Sequence, residues 1–253
     1  MTTSTILEVK NLSKSFERKI SISSLSFSVE KGEKIAIIGP SGAGKTTLFN
    51  LLTGTLPLEV GEILIDGQLI EYWQRKKLLA DKIGIIRQQF DLVESLPVIQ
   101  NVLVGRLKDW GFLKSLWSFI FPQDKQIAYQ ALKRVGIEDK MHVRTSTLSG
   151  GEQQRVALAR LLVQKPEVIL ADEPVSSLDP ARSKDILNML TKLADEEKQT
   201  LITTLHSVEY AKQYFTRIIA LKKGQLYFDL PSEEVTNTLL EDLYRLKELN
   251  EDE

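Results

Sequence analysis

The stretch KIAIIGPSGAGKTTLFNLL, residues 34–52, constrains the fold of this 253-residue chain more tightly than any other. KIAIIG reads as a short buried strand, and Thr46 to Leu52 as a helix. Between them Gly39, Pro40, Ser41, Gly42, Ala43, Gly44, Lys45 and Thr46 complete the pattern G-x-x-x-x-G-K-[ST], with Thr47 next. Glycines let such a loop wrap closely, with backbone N–H groups pointing inward at phosphate oxygens. The helix start adds a field that favours an anion. Lys45 would reach the β- and γ-phosphates of a nucleoside triphosphate, and the Thr46 hydroxyl would ligate Mg²⁺. The plain alternative is an ordinary glycine-rich strand–helix turn. The complete pattern between the correct flanks argues against it.

The rest of the chain alternates in the same way. ILEVKNL and ISSLSFSV show strand-like alternation, and EILIDGQLI gives a strand-turn-strand signal around Asp66-Gly67. KIGIIRQ, EVILADEP and TLITTLH are further short apolar runs, and RIIALKKGQLYFD suggests two strands turning at Gly224. ARSKDILNMLTKLADEE is an amphipathic helix. Strands alternating with helices imply a mainly parallel sheet. From about Asp91 to Leu161 the chain turns to charged, helix-compatible segments, KSLWSFIF and DKQIAYQALKRVGI among them, which read as a helical insertion. The acidic tail SEEVTNTLLEDLYRLKELNEDE reads as a solvated helix.

Composition removes several classes of function. The chain has no cysteine, which excludes disulfide scaffolds, thiolate metal sites and cysteine nucleophiles. A formal net charge of −1 provides no basic field for nucleic acid or anionic lipid. The start MTTSTILEVK shows no secretory signal. The richest apolar stretch, VLVGRLKDWGFLKSLWSFIF, is broken by Arg106, Lys108, Asp109 and Lys114, so no bilayer span is expected. The reading is a protein that is soluble, or peripheral to a membrane.

Two further segments carry chemistry. VILADEP delivers Asp172 to a strand end, where it would support Mg²⁺ through water, and sets Glu173 beside it to polarise an attacking water. An Asp-Glu pair at a strand end is common, and gains its meaning from the phosphate loop upstream. LSGGEQQRVALAR then offers a second helix start suited to phosphate, built from Ser149, Gly150, Gly151 and Glu152. Ser149 also reads as an ordinary N-cap. Capping alone calls for neither the Gly-Gly nor the Gln-Gln that follows.

Walker A, LSGGEQQ, ILADEP, SSLD and a later His206 stand here in the order typical of the ABC transporter ATPases, and the chain resembles that family over essentially its whole length. The resemblance implies a single domain, 1–253, of the P-loop NTPase α/β class. It would have a RecA-like core (1–90 and 162–230), an antiparallel β edge, an inserted α-helical subdomain (91–161) and a C-terminal helical tail (231–253). It implies ATP and Mg²⁺ as ligands and a head-to-tail homodimer, in which the signature of one copy closes over the nucleotide of the other. Position by position, Gln88 resembles the glutamine that senses Mg²⁺ and the attacking water, with Gln89 adjacent as its alternative. Asp179 resembles the aspartate that crosses the dimer interface, and His206 the histidine that holds the γ-phosphate and orients Glu173. Phe16 resembles the aromatic that stacks on adenine, a core phenylalanine being the alternative. His142 matches no motif and reads as a surface residue.

NVLVGRL, ADEPVSSLDP and GQLYFDLPSEEVTNTLLEDLY look like the ATP-binding subunit of phosphonate importers, in which Val175-Ser176-Ser177 replaces the Thr-Ser-Ala of many importer ATPases. That branch implies membrane permease subunits as partners, a substrate-binding protein indirectly, and a place on the cytoplasmic face of the membrane. Leu113, Leu116, Trp117 and Ile120 follow helical spacing and read as subdomain core. Trp110, Phe112, Phe119 and Phe121 are in excess, and suit a groove for a helix of the membrane partner. Other readings are an exporter or lipoprotein-releasing ATPase, and a soluble ABC protein acting on nucleic acid or the ribosome. Neutral charge and the absence of a basic arm oppose the last. A P-loop kinase has no use for LSGGEQQ.

Overall fold

The computed structural model describes residues 4–17, 19–109, 124–176 and 178–245. The strands form two sheets. In the first, β1 (Thr5–Phe16) lies between β2 (Lys19–Glu30) and β4 (Val60–Ile65), all antiparallel, and the two-residue β5 (Gln68–Leu69) closes the edge. The second has six strands in the order β10-β9-β3-β8-β7-β6. These are β3 (Lys34–Ile38), β6 (Ile83–Ile86), β7 (Val168–Asp172), β8 (Thr200–Thr204), β9 (Arg217–Lys222) and β10 (Gln225–Pro231). Its pairs are parallel except β9–β10 at the edge. The described helices are α1 (Lys45–Leu52), α2 (Ile70–Lys76), α3 (Leu79–Lys82), α4 (Val98–Leu103), α5 (Lys125–Arg134), α6 (Gly150–Gln164), α7 (Pro180–Glu196), α8 (Val208–Tyr214) and α9 (Asn237–Tyr244).

The near-continuous apolar runs of the central strands follow from burial on both faces. Ile35, Ile37, Val168 and Leu170 point into a core shared with the antiparallel sheet and α1, where Leu12, Leu25, Leu48 and Ile63 meet them. Ala36, Ile38, Ile169 and Ala171 point the other way, into a core with α6 and α7, where Leu158 and Leu187 lie. The period of two along each strand thus sorts its side chains between two cores. Phosphate loop and carboxylates emerge together, at the C-terminal ends of β3 and β7. Both hairpin turns form where the sequence places them. Asp66 and Gly67 have φ of 51° and 73°, and Lys223 and Gly224 have 52° and 79°, the left-handed pair that matches strand twist.

The helical block centres on α6, with α4 and α5 packed against it. Arg134 on α5 pairs with Glu196 and Glu197 at the end of α7, and Arg155 on α6 pairs with Asp185 on α7. The expectations for Trp110, Phe112, Leu113, Leu116, Trp117, Phe119, Ile120, Phe121 and Ser177 lie outside the described residues.

One expectation is corrected. The tail is not a solvated helix along its described length, because α9 docks on the core. Leu243 is fully buried, and Leu239, Leu240 and Tyr244 pack beside it. Their spacing forms a single apolar stripe that the acidic composition conceals.

A candidate site for nucleotide binding and hydrolysis

The loop between β3 and α1 is wedged against its neighbours. Gly39 has φ of 151°, and a Cβ on it would lie 2.3 Å from the carbonyl oxygen of Leu221 in β9. Gly44, the N-cap of α1, has φ of 103°, and a Cβ there would meet Ser21 O and Ile22 Cδ1 at 2.7 Å. No side chain caps the start of α1, so its N–H groups face the loop. Lys45 folds back over the loop, its Nζ donating to Gly39 O at 2.6 Å and Pro40 O at 3.3 Å. Burial lowers its pKa, opposed by the charges of Glu173 and Asp172. Those two carboxylates therefore act on the same ammonium.

Phe16, Ile20, Ser21 and residues 42–47 line a cleft of about 240 Å³ beside the loop. Phe16 is 45% exposed and Ile20 62%, so Phe16 lies on the cleft rim and outside the core. Thr46 is exposed, whereas the Thr47 hydroxyl is held by Ser21 at 2.7 Å.

At the end of β7 the two carboxylates have separate surroundings. Asp172 Oδ1 accepts a hydrogen bond from Thr204 Oγ1 at 2.6 Å. Burial raises the Asp172 pKa, and that hydrogen bond works against the rise. Glu173 sits at φ of 47°, its N–H donates to Thr204 Oγ1 at 2.9 Å, and its Oε1 lies 2.6 Å from His206 Nε2. Gln88 and Gln89 are both exposed in the turn after β6. Arg87, just before them, bears on Asp172 electrostatically, which puts this turn at the same end of the sheet.

Ser149 caps α6 in a reciprocal box. Its N–H donates to Glu152 Oε2 at 2.8 Å, and its hydroxyl both donates to that oxygen at 2.9 Å and accepts from the Glu152 N–H. The backbone and hydroxyl donors of Ser149 lower the Glu152 pKa. Among the described residues a Cβ on Gly150 or Gly151 would meet nothing within 4 Å, and neither has a positive φ. Nothing among the described residues therefore calls for glycine at either position. Among the described residues no hydrogen bond or ion pair joins Ser149–Glu152 to the phosphate loop. Asp179 caps α7 through the Arg182 N–H at 3.0 Å and pairs with the Arg182 guanidinium. His142 is exposed.

The structure adds residues that sequence reasoning missed. Thr204 joins Asp172 to Glu173. Buried Gln154 donates its amide to the carbonyl of Pro174, which ties α6 to the residue after Glu173. The buried Tyr244 hydroxyl faces the Gly39 peptide without a well-formed hydrogen bond, and burial holds its pKa up. A threonine inside an apolar strand and a tyrosine in an acidic tail give no local signal of such contacts. A second cleft, of about 610 Å³, opens between the β6 end and α6, lined by Leu79, Ile85, Arg87, Leu107, Arg160 and Gln164 among others. Arg160 braces its rim by donating to Phe90 O and Asp91 O, both at 2.9 Å.

A glycine-walled loop at a helix start, a lysine within it and a Glu–His pair facing it define a P-loop ATPase cassette. A family profile described as ABC transporter matches residues 22–176. The phosphonates import ATP-binding protein PhnC of Lactobacillus johnsonii is 39% identical, over 94% of this chain and 95% of its own. That of Shouchella clausii is 40% identical, over 98% and 94%. Among solved structures, a dimeric ATP-binding cassette in a post-hydrolysis state bound to ADP and Pi has a TM-score of 0.75 and 30% identity, covering 90% of this chain and 99% of its own. cbiO1 of Clostridium perfringens, part of an ABC transporter complex, has a TM-score of 0.78 at 30% identity, covering 91% and 90%. The chain belongs to the ABC transporter family.

Proposed function

We propose that this chain is the ATP-hydrolysing subunit of a membrane importer for phosphonate or a related phosphorus oxyanion such as phosphite. The observation that carries hydrolysis is the Glu173–His206 pair at 2.6 Å, set beside Asp172 and the ammonium of Lys45. The substrate class rests on the names of relatives that match nearly the whole chain.

In this reading Lys45 exchanges its two loop carbonyls for phosphate oxygens, and the N–H groups at the start of α1 hold the same anion. Phe16 offers its face to the adenine. Among the described residues no group of three or more His, Cys, Asp or Glu could hold a metal alone. The Thr46 hydroxyl and the Asp172 carboxylate are the hard oxygen donors that Mg²⁺ takes when phosphates and water complete its shell. Bound there, Mg²⁺ would neutralise charge on the phosphates. Glu173 accepts a proton from the attacking water, His206 keeps its carboxylate aimed, and Gln88 or Gln89 reaches toward the site from the β6 turn.

Ser149, Gly150, Gly151 and Asp179 act in trans in this proposal, against nucleotide held by a second copy packed head to tail. The open space at both glycines and the dimeric form of a structural relative support this. The division into core, helical portion and tail belongs to the same reading. The cleft between the β6 end and α6 suits a helix of the permease, which would press on the turn that bears Gln88. Among the described residues no helix is long and apolar enough to cross a membrane. The chain then works at the cytoplasmic face, while a separate binding protein selects the substrate.

Uptake of a labelled alkylphosphonate tests this in cells carrying wild type or Glu173→Gln, with phosphite and phosphate as competitors. Uptake by wild type alone is expected, and equal uptake by both removes the phosphonate assignment. In the purified variant, hydrolysis should fall by about 10²–10⁴ as the base is lost. ATP should then trap a dimer visible by light scattering.

A further inference from the structure

We infer that Thr204 is a positioning residue for hydrolysis, its hydroxyl fixing Asp172 and Glu173 relative to one another. The inference rests on the hydrolytic reading above and assigns a further residue to it.

Thr204 is the last residue of β8, 1% exposed, and pairs with Asp172 in the parallel ladder. A threonine hydroxyl has one proton and two lone pairs. The Glu173 N–H can only donate, so at 2.9 Å it uses a lone pair of Oγ1. The hydroxyl proton is then committed to Asp172 Oδ1 at 2.6 Å. Donated to a carboxylate, that bond is charge-assisted and holds the carboxylate in one direction. One oxygen thus fixes the direction of the Asp172 carboxylate and holds the Glu173 backbone beside it.

The other bond acts on Glu173. Its φ of 47° is a left-handed conformation that disfavours a non-glycine residue and persists only where its surroundings hold it. The N–H bond to Thr204 is such a hold. From there the Glu173 side chain reaches His206, two residues beyond Thr204 on the same exit from β8. Thr204 Oγ1, the Glu173 backbone, its carboxylate, His206 and the two-residue return form a closed circuit. A slack hydroxyl would let Glu173 turn away from Asp172 while leaving the sheet intact.

A buried hydroxyl in this strand is not used automatically. The adjacent Thr203 is fully buried, and among the described residues its Oγ1 has no hydrogen-bond partner. Thr203→Val is therefore an internal control, matched for strand, shape and chemistry.

The test compares wild type, Thr204→Val, Thr204→Ser and Thr203→Val, with Thr204→Ala replacing the valine variant if that does not fold. Four quantities are measured on each: melting temperature, affinity for a fluorescent ATP analogue in EDTA, Mn²⁺ binding to the nucleotide complex by electron paramagnetic resonance, and kcat with KM for ATP. Thr204→Val should keep metal-free nucleotide affinity within about twofold, while Mn²⁺ affinity and kcat each fall about 10–100-fold, as when a partner of a metal ligand is lost. Thr204→Ser should recover most of both, and Thr203→Val should match wild type. Mn²⁺ binding and kcat within twofold of wild type in Thr204→Val overturn the inference. So does an equal loss in Thr203→Val, or a serine variant that recovers nothing. A wild type that hydrolyses no ATP overturns the hydrolytic reading itself, and this inference with it.

Discussion

At the scale of single residues, Lys45 shows how the loop is held together. Its ammonium lies on Gly39 O and Pro40 O, inside a loop whose Cβ-free positions let β9 and β2 approach. Replacing it with alanine removes a buried cation on which both carboxylates bear. Lys45→Ala should weaken ATP binding by about 10–100-fold, the range for a hydrogen-bonding charge lost from an anion site. Titration with a fluorescent analogue checks this, and unchanged affinity counts against the loop as the phosphate site. This part of the site was legible because its residues are contiguous, so spacing alone carries the chemistry. Thr204 was not, because its two bonds cross 31 and 32 residues of sequence to reach Glu173 and Asp172. Which of Gln88 and Gln89 acts was also not legible, since a turn exposes both.

At the scale of elements, the join between the two sheets rests partly on Lys82 of α3. Its ammonium meets Asp66 Oδ2 at 2.8 Å in the β4–β5 turn, pairs with Glu167 just before β7, and lies 4.6 Å from the centroid of a Trp73 ring. The Lys82 hydrogen bond lowers the Asp66 pKa more than any other cause, with Lys31 adding to it. A carboxyl depressed by folding adds stability that is present above its unfolded pKa and drains away as pH falls through its folded one. Lys82→Met keeps the buried stem and removes the charge. It should destabilise the protein near neutral pH by about 1 kcal/mol, a small figure because Asp66 is partly solvated. Melting curves of both proteins should converge as pH falls through the depressed Asp66 value. A constant gap down to strongly acid pH would assign the loss to packing. Most elements were legible, since short apolar runs and the Asp66-Gly67 and Lys223-Gly224 turns state their own geometry. The pairing of β1 with β4 was not, because it depends on partners some fifty residues apart. The docking of α9 was hidden by its acidic neighbours.

At the scale of the whole molecule, the proposed dimer leaves each copy with half of each site. Ser149→Arg places a long cation where the partner's phosphate would approach, and it also breaks the capping box of α6. ATP binding to the isolated chain should stay within about twofold, while ATP-driven association and transport fail, because complementarity tolerates no such bulk at a buried contact. Normal turnover in the assembled transporter would exclude Ser149 from the interface. Sequence order alone named this segment, yet nothing in local pattern said that its target lies in another copy. The open space at Gly150 and Gly151 is where the proposed partner's ligand would fit. The Gln154 amide gives the arrangement a further property. The helix whose tip would read the neighbour's ligand also grips the backbone beside Glu173, the residue proposed to activate water in its own copy. Gln154 lies about one turn inside the tip of α6, so a displacement at Ser149 would reach the Pro174 carbonyl without passing through the sheet. The two halves of the engine would then keep time through a single amide on each side.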